Sequence, residues 1–248
     1  GSNNLYTNFT SISSSNDNLG YYGYVNYKIG DGFRPNSDFE SINTFQSLNL
    51  KLTDRSKLTS EITYLEYLAH QAGGLSDRMF EIAPYQSNRE RNWFEVKWFL
   101  YNLKYLYEIS PNSNFSFSFF GLDATRNALG FRTNRVDQID FGDERDLIKG
   151  RFRNFGFETR YINNYTVLNK KSYLLLGAKY YNSFSESTQG PGSASKDANF
   201  DFDYLNFPNY VNQSDYSYPN FNLALFGENI FYLSENFSIT PGFRFENI

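Results

Sequence analysis

The protein has 248 residues, of which 20% are Phe, Tyr or Trp, yet its mean hydropathy is negative at -0.58. Its net charge of -4 and its scattered Lys and Arg residues provide no basic surface of the kind that nucleic acid requires, so no nucleic-acid partner is expected. The chain has no Cys and a single His, which excludes disulfides and thiolate metal sites and leaves little for catalysis, so neither an enzyme nor a cofactor is expected.

Apolar and polar residues alternate along the chain with the period of a β-strand. The pattern is clear where Phe115, Phe117 and Phe119 are separated by Ser116 and Ser118. No stretch approaches the ~18 to 20 apolar residues that a membrane-spanning helix needs. We predict about ten strands, with boundaries uncertain by about three residues. They lie near residues 3–12, 20–30, 42–53, 57–68, 93–108, 114–126, 151–163, 171–184, 219–233 and 236–247.

The predicted connections alternate between short polar turns and long irregular loops. The turns, rich in Asn, Ser and Asp, are predicted at Ser13 to Asn18, Asp54 to Ser56, Pro111 to Asn114, Asn163 to Lys170 and Ser234 to Asn236. The loops, rich in Gly, Pro and charged residues, are predicted at Gly30 to Ser41, Ala69 to Asn92, Asn127 to Gly150 and Glu186 to Tyr218. Short periplasmic turns and long extracellular loops are typical of outer-membrane barrels. The predicted fold class is therefore all-β, a transmembrane antiparallel β-barrel.

A soluble β-sandwich or propeller is the alternative fold, since both also contain alternating strands and Asn-rich turns. A propeller should repeat every ~40 to 50 residues with a recurrent signature, and the sequence has no such period. A sandwich does not require loops of such unequal length. Both observations favour the barrel.

Three segments resemble TonB-dependent receptors, particularly the ferric-citrate-receptor-like branch of Bacteroidetes-type bacteria. Residues 70–94 contain HQAGGLSD at 70–77 and SNRERNWF at 87–94, which is similar to an extracellular loop of that branch. Residues 225–246 contain LFGENI and LSENFSITPGFRFE, which resemble a hairpin common across the family. The most specific part is the final PGFRFE, and GDGFRPN at 30–36 resembles an early extracellular turn.

The resemblance implies that residues 1–248 form part of a receptor barrel in the bacterial outer membrane. Barrels of this family have about 22 strands, so this chain would supply about ten of them, and the plug domain and the C-terminal strands would lie outside it. A sheet of about ten strands would leave two unpaired edges, so we expect the native protein to be longer. The implied partners are outer-membrane lipid and lipopolysaccharide, a ferric chelate, and the TonB complex, which would be reached through the plug.

Two candidate ligand-binding residues lie at the end of the fourth predicted strand. His70 and Gln71 are placed there at the outer rim, where their side chains would be within reach of a ligand. The alternative for His70 is packing against a loop or exposure to solvent.

Arginines of the predicted outer loops form the larger candidate site. A planar guanidinium group binds a carboxylate through two parallel hydrogen bonds, so a vestibule rich in Arg would select a carboxylate-bearing ferric chelate. The group comprises Arg89 and Arg91 of the second loop and Arg126, Arg132, Arg135, Arg145, Arg151 and Arg153 around the third, and the first five are the selected ligand-binding candidates. The alternatives are contact with lipopolysaccharide phosphates or local ion pairs with the acidic residues Asp137, Asp140, Asp143, Glu144 and Asp146.

The fourth predicted loop has two weaker candidate features. Asp201 and Asp203 offer hard oxygen ligands to calcium, although two carboxylates are few for such a site. Its aromatic residues, among them Tyr204, Phe207 and Tyr210, offer stacking surfaces to an aromatic siderophore or pack within the loop.

The function that these features predict is import of a ferric chelate across the outer membrane by a TonB-dependent receptor. One alternative is a passive porin-like barrel, which needs neither plug nor energy coupling. Another is a structural role in an envelope complex, with other envelope proteins as partners.

Overall fold

The computed structural model describes residues 1–167 and 169–248, and these ranges form a single antiparallel sheet of eleven strands. Each strand pairs with the next along the chain from β1 to β9, and both β10 and β11 pair with β9. A short 3-10 turn, Ser2–Asn4, precedes the sheet. The strands are β1 Tyr6–Ser15, β2 Leu19–Gly30, β3 Phe39–Thr53, β4 Ser56–His70, β5 Trp93–Ser110, β6 Ser113–Gly130, β7 Arg145–Val167, β8 Lys170–Gly192, β9 Ser214–Tyr232, β10 Ser238–Ile239 and β11 Gly242–Asn247.

All ten predicted strands are present, and the predicted alternation of short and long connections is confirmed. The long connections are loop 1 (residues 31–38), loop 2 (71–92), loop 3 (131–144) and loop 4 (193–213). The predicted loop boundaries at 127–150 and 186–218 were wrong, because β7 and β8 each run for 23 residues and extend far toward the loop end. Charged residues interrupt the apolar alternation there, whereas the ladder needs only backbone groups and continues.

Two predicted turns also differ from the structure. The first was predicted at Ser13 to Asn18, but β1 continues to Ser15 and pairs there with Gly20. The turn predicted at Asn163 to Lys170 includes Leu168, which lies outside the described residues. On either side of it the ladder continues as far as the pair Val167 and Lys170, so this connection is shorter than predicted.

Hydroxyl and amide side chains close the short turns. The Asn16 side-chain oxygen accepts hydrogen bonds from the amides of Asn18 (2.9 Å) and Leu19 (2.8 Å), which fixes the turn between β1 and β2. The turns after β3 and β5 share another arrangement, in which two hydroxyls flank the turn and hydrogen-bond to each other. The pairs are Thr53 with Ser56 at 2.7 Å and Ser110 with Ser113 at 2.8 Å.

The last predicted strand is interrupted at a proline. Strands β10 and β11 share one register against β9, since Ile239 faces Phe231 and Gly242 faces Glu228. Pro241 lies between them and has no N–H to donate, although its carbonyl oxygen accepts a hydrogen bond from Asn229 N (2.9 Å). One strand is therefore divided in two by a single missing donor.

One face of the sheet, the aromatic face, is mainly aromatic and aliphatic. The other, the polar face, carries most of the amide and charged side chains together with some aromatic rings, such as Tyr24 and Phe45. On the aromatic face, rings of adjacent strands contact each other, as Tyr101 does with Phe119 (5.5 Å between centroids) and Phe157 does with Tyr180 (5.0 Å). The opposite face lines a cavity of about 440 Å³ across β3 to β7. It carries polar and charged residues, including Glu61, Asn102, Glu158, Lys179, Asn222, Arg244 and Glu246. This is the arrangement of a barrel wall with an oily exterior and a wet interior.

A short helix in loop 2 is absent from the predicted elements. Helix α1, Asp77–Ile82, begins after Ser76, whose hydroxyl accepts a hydrogen bond from Met79 N (3.3 Å). In the part of the chain that the structure describes, no helix combines the length and the hydrophobicity needed to cross a membrane.

Gly121 on β6 allows Tyr101 of β5 to lie flat across the sheet. A Cβ atom at position 121 would overlap the Tyr101 hydroxyl and would lie 2.6 Å from the Asn154 carbonyl oxygen, which belongs to the backbone of β7. Gly20 on β2 is different, because a Cβ there would meet nothing nearer than the Asn49 Cβ at 3.7 Å.

We therefore expect Gly121→Ala to lower the free energy of unfolding by about 1 to 3 kcal/mol, because backbone and ring must both shift. Gly20→Ala is the matched control and should be neutral or stabilising. Urea titration of the protein in detergent micelles measures both. Equal stability of the two variants would contradict the packing described for Tyr101.

Candidate functional site

The four long loops pack together at one end of the sheet into a cap. The most completely buried large side chains of the described residues lie at this end, including Leu129, Leu147 and Arg145. Arginines at the base of the cap donate hydrogen bonds to main-chain carbonyl oxygens of neighbouring loops. The cap is therefore held by cross-links between loops as well as by the strands below it.

Arg34 joins loop 1 to loop 2. Its guanidinium group donates hydrogen bonds to the carbonyl oxygens of Gly73 and Gln86, the latter at 3.4 Å. Asn36 adds a hydrogen bond to the hydroxyl of Ser87 at 3.0 Å. The first loop is thus fixed by polar contacts to the second.

Arg89 joins loop 2 to loop 3. Its guanidinium group donates to the carbonyl oxygens of Gln138 (3.1 Å) and Val136 (3.3 Å) and lies over the ring of Phe131, 5.1 Å from its centroid. It also donates to the Asn88 carbonyl oxygen at 2.6 Å. This predicted ligand-binding residue is buried, and loop 3 occupies its donors.

Arg91 joins its own loop 2 to loops 3 and 4. It pairs with Asp140 of loop 3 through two parallel hydrogen bonds, one of them Nε to Oδ2 at 2.9 Å, and the other joins Nη2 to Oδ1. Its remaining donor atom, Nη1, lies 2.9 Å from the carbonyl oxygens of both Asp143 and Ala194. Local ion pairing, the alternative to ligand contact, is therefore the observed state of Arg91.

The electrostatics of Asp140 follow from this pair. Burial of its carboxylate opposes ionisation, but the hydrogen bonds from Arg91 and from the Gly142 amide outweigh burial and hold the pKa of Asp140 below its ordinary value. Only 13% of the Asp140 side chain and 6% of the Arg91 side chain are exposed.

Arg145, at the start of β7, holds loop 4. Its side chain is 0% exposed, and it donates to the carbonyl oxygens of Ser193 (2.7 Å) and Asp197 (2.8 Å) and to two serine hydroxyls. It also donates to the Arg91 carbonyl oxygen at 3.0 Å, which connects the two arginines directly. All of its nitrogen atoms have partners, so Arg145 is structural.

The buried charge of the cap is not balanced. Arg89, Arg91 and Arg145 lie close together, and two carboxylates face them, Asp140 at Arg91 and Asp197 at 3.6 Å from Arg145. Arg89 has no carboxylate partner among the described residues, and its guanidinium group donates to carbonyl oxygens and to the Thr133 hydroxyl. A buried cation without a counter-ion is costly, so this region favours an additional anion.

His70 packs between loops. Its Nδ1 lies 3.0 Å from an Asp38 carboxylate oxygen and its Nε2 lies 2.8 Å from the Glu90 carbonyl oxygen, while its ring stacks on Trp93 with 3.9 Å between centroids. Trp93 in turn donates its indole N–H to the Lys196 carbonyl oxygen of loop 4 at 2.8 Å. Contact with loops, the alternative for His70, is thus observed.

The remaining predicted residues are exposed. Gln71 extends from the end of β4, and only its backbone amide is engaged, with the Asn92 carbonyl oxygen at 2.8 Å. Arg135 pairs with Asp137 on the outer surface, where 72% of its side chain is exposed. Arg126 lies over the Phe152 ring at 5.7 Å on the polar face of the sheet, and Arg132 follows β6 in loop 3. Within the described ranges, the guanidinium groups of Arg126 and Arg132 have no hydrogen-bond partner.

Loop 4 is attached to the barrel through Tyr210. Its hydroxyl donates to the Asp146 carboxylate and accepts a hydrogen bond from the Gln189 amide at 3.1 Å. Burial, together with the hydrogen bond to Asp146, raises the pKa of Tyr210 to about 12. Of the aromatic residues proposed for ligand stacking, Tyr210 is therefore buried against β7 and β8.

The proposed calcium ligands do not converge on a cation. Asp203 accepts two hydrogen bonds from the Asn206 side-chain amide, at 2.9 and 3.0 Å. No cluster of three or more His, Asp or Glu side chains suited to a metal ion occurs in residues 1–167 and 169–248.

Two central residues were not selected as ligand-binding candidates from the sequence. Arg145 was named only as one arginine of the group around the third loop, and Asp140 only as one of its acidic neighbours. Nothing in their local pattern separated them from exposed Arg135 and Asp137. The one sequence feature that could have indicated Arg145 is its position at the first residue of β7, directly after loop 3. A strand there fixes its backbone, while its hydrogen-bond partners lie in loops.

No protein-family model and no curated protein sequence is similar to this chain. Solved structures are similar in fold. The ferric citrate transporter FecA in its unliganded form superposes with a TM-score of 0.80 at 17% identity, over 99% of this chain and 35% of that one. The ferripyoverdine receptor of the outer membrane of Pseudomonas aeruginosa gives 0.76 at 11% identity, over 99% and 35%. The ferric-catecholate import receptor Fiu from E. coli K12 gives 0.73 at 8% identity, over 99% and 42%.

These likenesses confirm the predicted fold, an antiparallel barrel segment of the kind that TonB-dependent receptors have. The chain spans between 35% and 42% of the length of the three structures. All three are described as transporters or receptors.

We expect Arg145→Met to open loop 4 locally, because the buried guanidinium group and its hydrogen bonds to the loop are lost. Each acceptor left unsatisfied costs about 1 to 3 kcal/mol. Amide hydrogen exchange of residues 193–199 should accelerate by at least about a hundredfold, which corresponds to about 3 kcal/mol. Arg135→Met, which removes an exposed arginine, is the control and should leave the same amides protected. Unchanged exchange in Arg145→Met would show that loop 4 is held by other contacts.

The Tyr210 contact predicts an alkaline transition. Because the folded-state pKa is raised from 10.0 to about 12, the contact stabilises loop 4 fully below pH 10 and is lost as the pH rises toward 12. The ultraviolet titration of the wild type minus that of Tyr210→Phe should show one tyrosine ionising near pH 12. A difference curve centred near pH 10 would contradict the buried hydrogen bond.

Proposed function

We propose that this chain is part of the barrel of a TonB-dependent receptor in the bacterial outer membrane, and that its loop cap binds a ferric chelate bearing carboxylates. The observation that carries the proposal is the combination of a receptor-type barrel wall with a cap whose buried charge is positive. An anionic chelate supplies the counter-ion that this region favours.

The two faces of the sheet suit that location. The aromatic face offers continuous apolar surface to lipid, and charged residues appear on the same face toward the loop end, where lipid headgroups and lipopolysaccharide would lie. Lys97 lies there between Glu66 at 2.8 Å and Glu95 at 3.0 Å, and Arg153 lies 3.5 Å from Glu186. The polar face is left to the barrel interior.

In this proposal residues 1–248 supply one part of a barrel of about 22 strands, and a plug domain encoded elsewhere in the protein closes its lumen and reaches the TonB complex. Extracellular loops at one end and short turns at the other give the chain its orientation. Loop residues thus contact the arriving chelate first.

The candidate residues divide into two groups by the state of their side chains. Arg126 and Arg132 have free guanidinium groups and are proposed to contact the chelate, with exposed Gln71 at the adjacent rim. His70 belongs with the engaged residues, because both of its ring nitrogens already have partners. Arg89 and Arg91 already bind loop 3, so their contact with a ligand requires an exchange of partners. Arg135 is proposed to contribute least of the candidates, because the adjacent carboxylate of Asp137 offsets its charge.

We expect Arg126→Ala combined with Arg132→Ala to weaken ferric citrate binding by the full-length protein about tenfold or more, since each bidentate contact to a charged group contributes about 1.5 to 3 kcal/mol. Isothermal titration calorimetry in detergent measures the affinity. Arg153→Ala, on the lipid-facing side of β7, is the matched control and should bind as the wild type does. Equal affinities of the double variant and the control would place the ligand elsewhere.

A further inference from the structure

A cavity of about 470 Å³ lies between loops 2, 3 and 4, directly over the Arg91 and Asp140 pair. Its wall includes both members of that pair and two further cations, Arg89 and Lys196, together with the carboxylates of Glu90 and Asp137. Met79 and Ile139 add apolar surface. Lys196 is paired with Glu90 at 2.6 Å, so Arg89 is the lining cation with no carboxylate partner among the described residues. The cavity therefore combines charged groups with room for a small chelate.

The contact between Asp140 and Arg91 has the geometry of a bound ligand carboxylate. Two oxygens of one carboxylate face Nε and Nη2 of one guanidinium group, which is the fork arrangement by which arginine recognises carboxylates. The carboxylate belongs to a loop, and its only other hydrogen bond among the described residues is from the Gly142 amide at 3.0 Å, two residues away. Asp140 is thus tied to the cap chiefly through Arg91.

Arg91 must keep an anion. Its side chain is buried and adjoins buried Arg145. Removal of Asp140 without replacement would therefore leave Arg91 and Arg145 with a single carboxylate, that of Asp197 beside Arg145. Exchange of one carboxylate for another avoids that cost, because the same two hydrogen bonds are lost and regained. A ligand with further negative charges would also supply a counter-ion to Arg89, which has no carboxylate partner among the described residues.

We propose that this cavity is a carboxylate subsite in which Asp140 stands in for the ligand, and that a carboxylate-bearing chelate displaces Asp140 from Arg91 when it binds. The inference rests on the proposed function and deepens it. Displacement frees the Asp140 carboxylate from Arg91. It also releases the Gly142 amide, which now donates a hydrogen bond to that carboxylate. Ligand entry is thereby coupled to the conformation of loop 3.

Asp140→Asn in the full-length protein tests the proposal, with ferric citrate as the probe. An amide is a weaker, uncharged competitor for Arg91, so the affinity for ferric citrate should rise by about tenfold or more. Asp54→Asn is the matched control, because it removes the same charge from an exposed ion pair with Lys51, in a short turn at the opposite end of the sheet. Its affinity should stay within about twofold of the wild type.

Hydrogen exchange supplies a second readout. Addition of ferric citrate to the wild type should speed exchange in residues 137–144 while residues 193–199, held by Arg145, keep their protection. Two results would overturn the displacement and leave the proposed receptor function intact. One is that the wild type binds ferric citrate and Asp140→Asn binds it no more tightly. The other is that ferric citrate slows hydrogen exchange in residues 137–144 of the wild type. Failure of the wild type and of Asp140→Asn alike to bind ferric citrate would overturn both for this class of ligand.

Discussion

The structure depends on one constraint: every backbone N–H and C=O of the strands needs a partner across the ladder. Where a wall faces lipid, no water is present to replace a missing partner, so the pairing runs without a gap from β1 to β9. The same pairing continues in β7 and β8 well past the aromatic face, because it does not depend on side chains. These extensions carry loops 3 and 4 outward and place Arg145 at the height at which it meets loop 4.

The cap follows from what guanidinium groups do when they are buried. An arginine away from water must satisfy all of its donors, and carbonyl oxygens of adjacent loops are the nearest acceptors. Arg34, Arg89, Arg91 and Arg145 each use this solution, and together they connect all four loops. The cost is an excess of buried positive charge, which gives the cap its preference for anions.

Much of the fold could be predicted from the sequence, and the site much less. Alternation and turn chemistry located every strand, since both are local properties. The ends of β7 to β9 could not be found in this way, because charged residues such as Arg151 obscure the alternation that the ladder does not need. Likewise, Arg91 and Arg135 look equivalent in sequence. They differ because Arg91 is buried against loops 3 and 4, where one of its acceptors, the Ala194 carbonyl oxygen, is 103 positions away in sequence. Carbonyl acceptors leave no trace in the residue type.

The use of main-chain acceptors has an evolutionary consequence. A carbonyl oxygen is present whichever amino acid bears it. Replacement of Val136, Gln138, Ala194 or Asp197 therefore keeps the acceptor to which Arg89, Arg91 or Arg145 donates. Substitutions can thus accumulate in loops 3 and 4 while the loops keep their positions. For the proposed function, this means that the surface offered to a chelate can change while Arg89, Arg91 and Arg145 hold the shape of the cap.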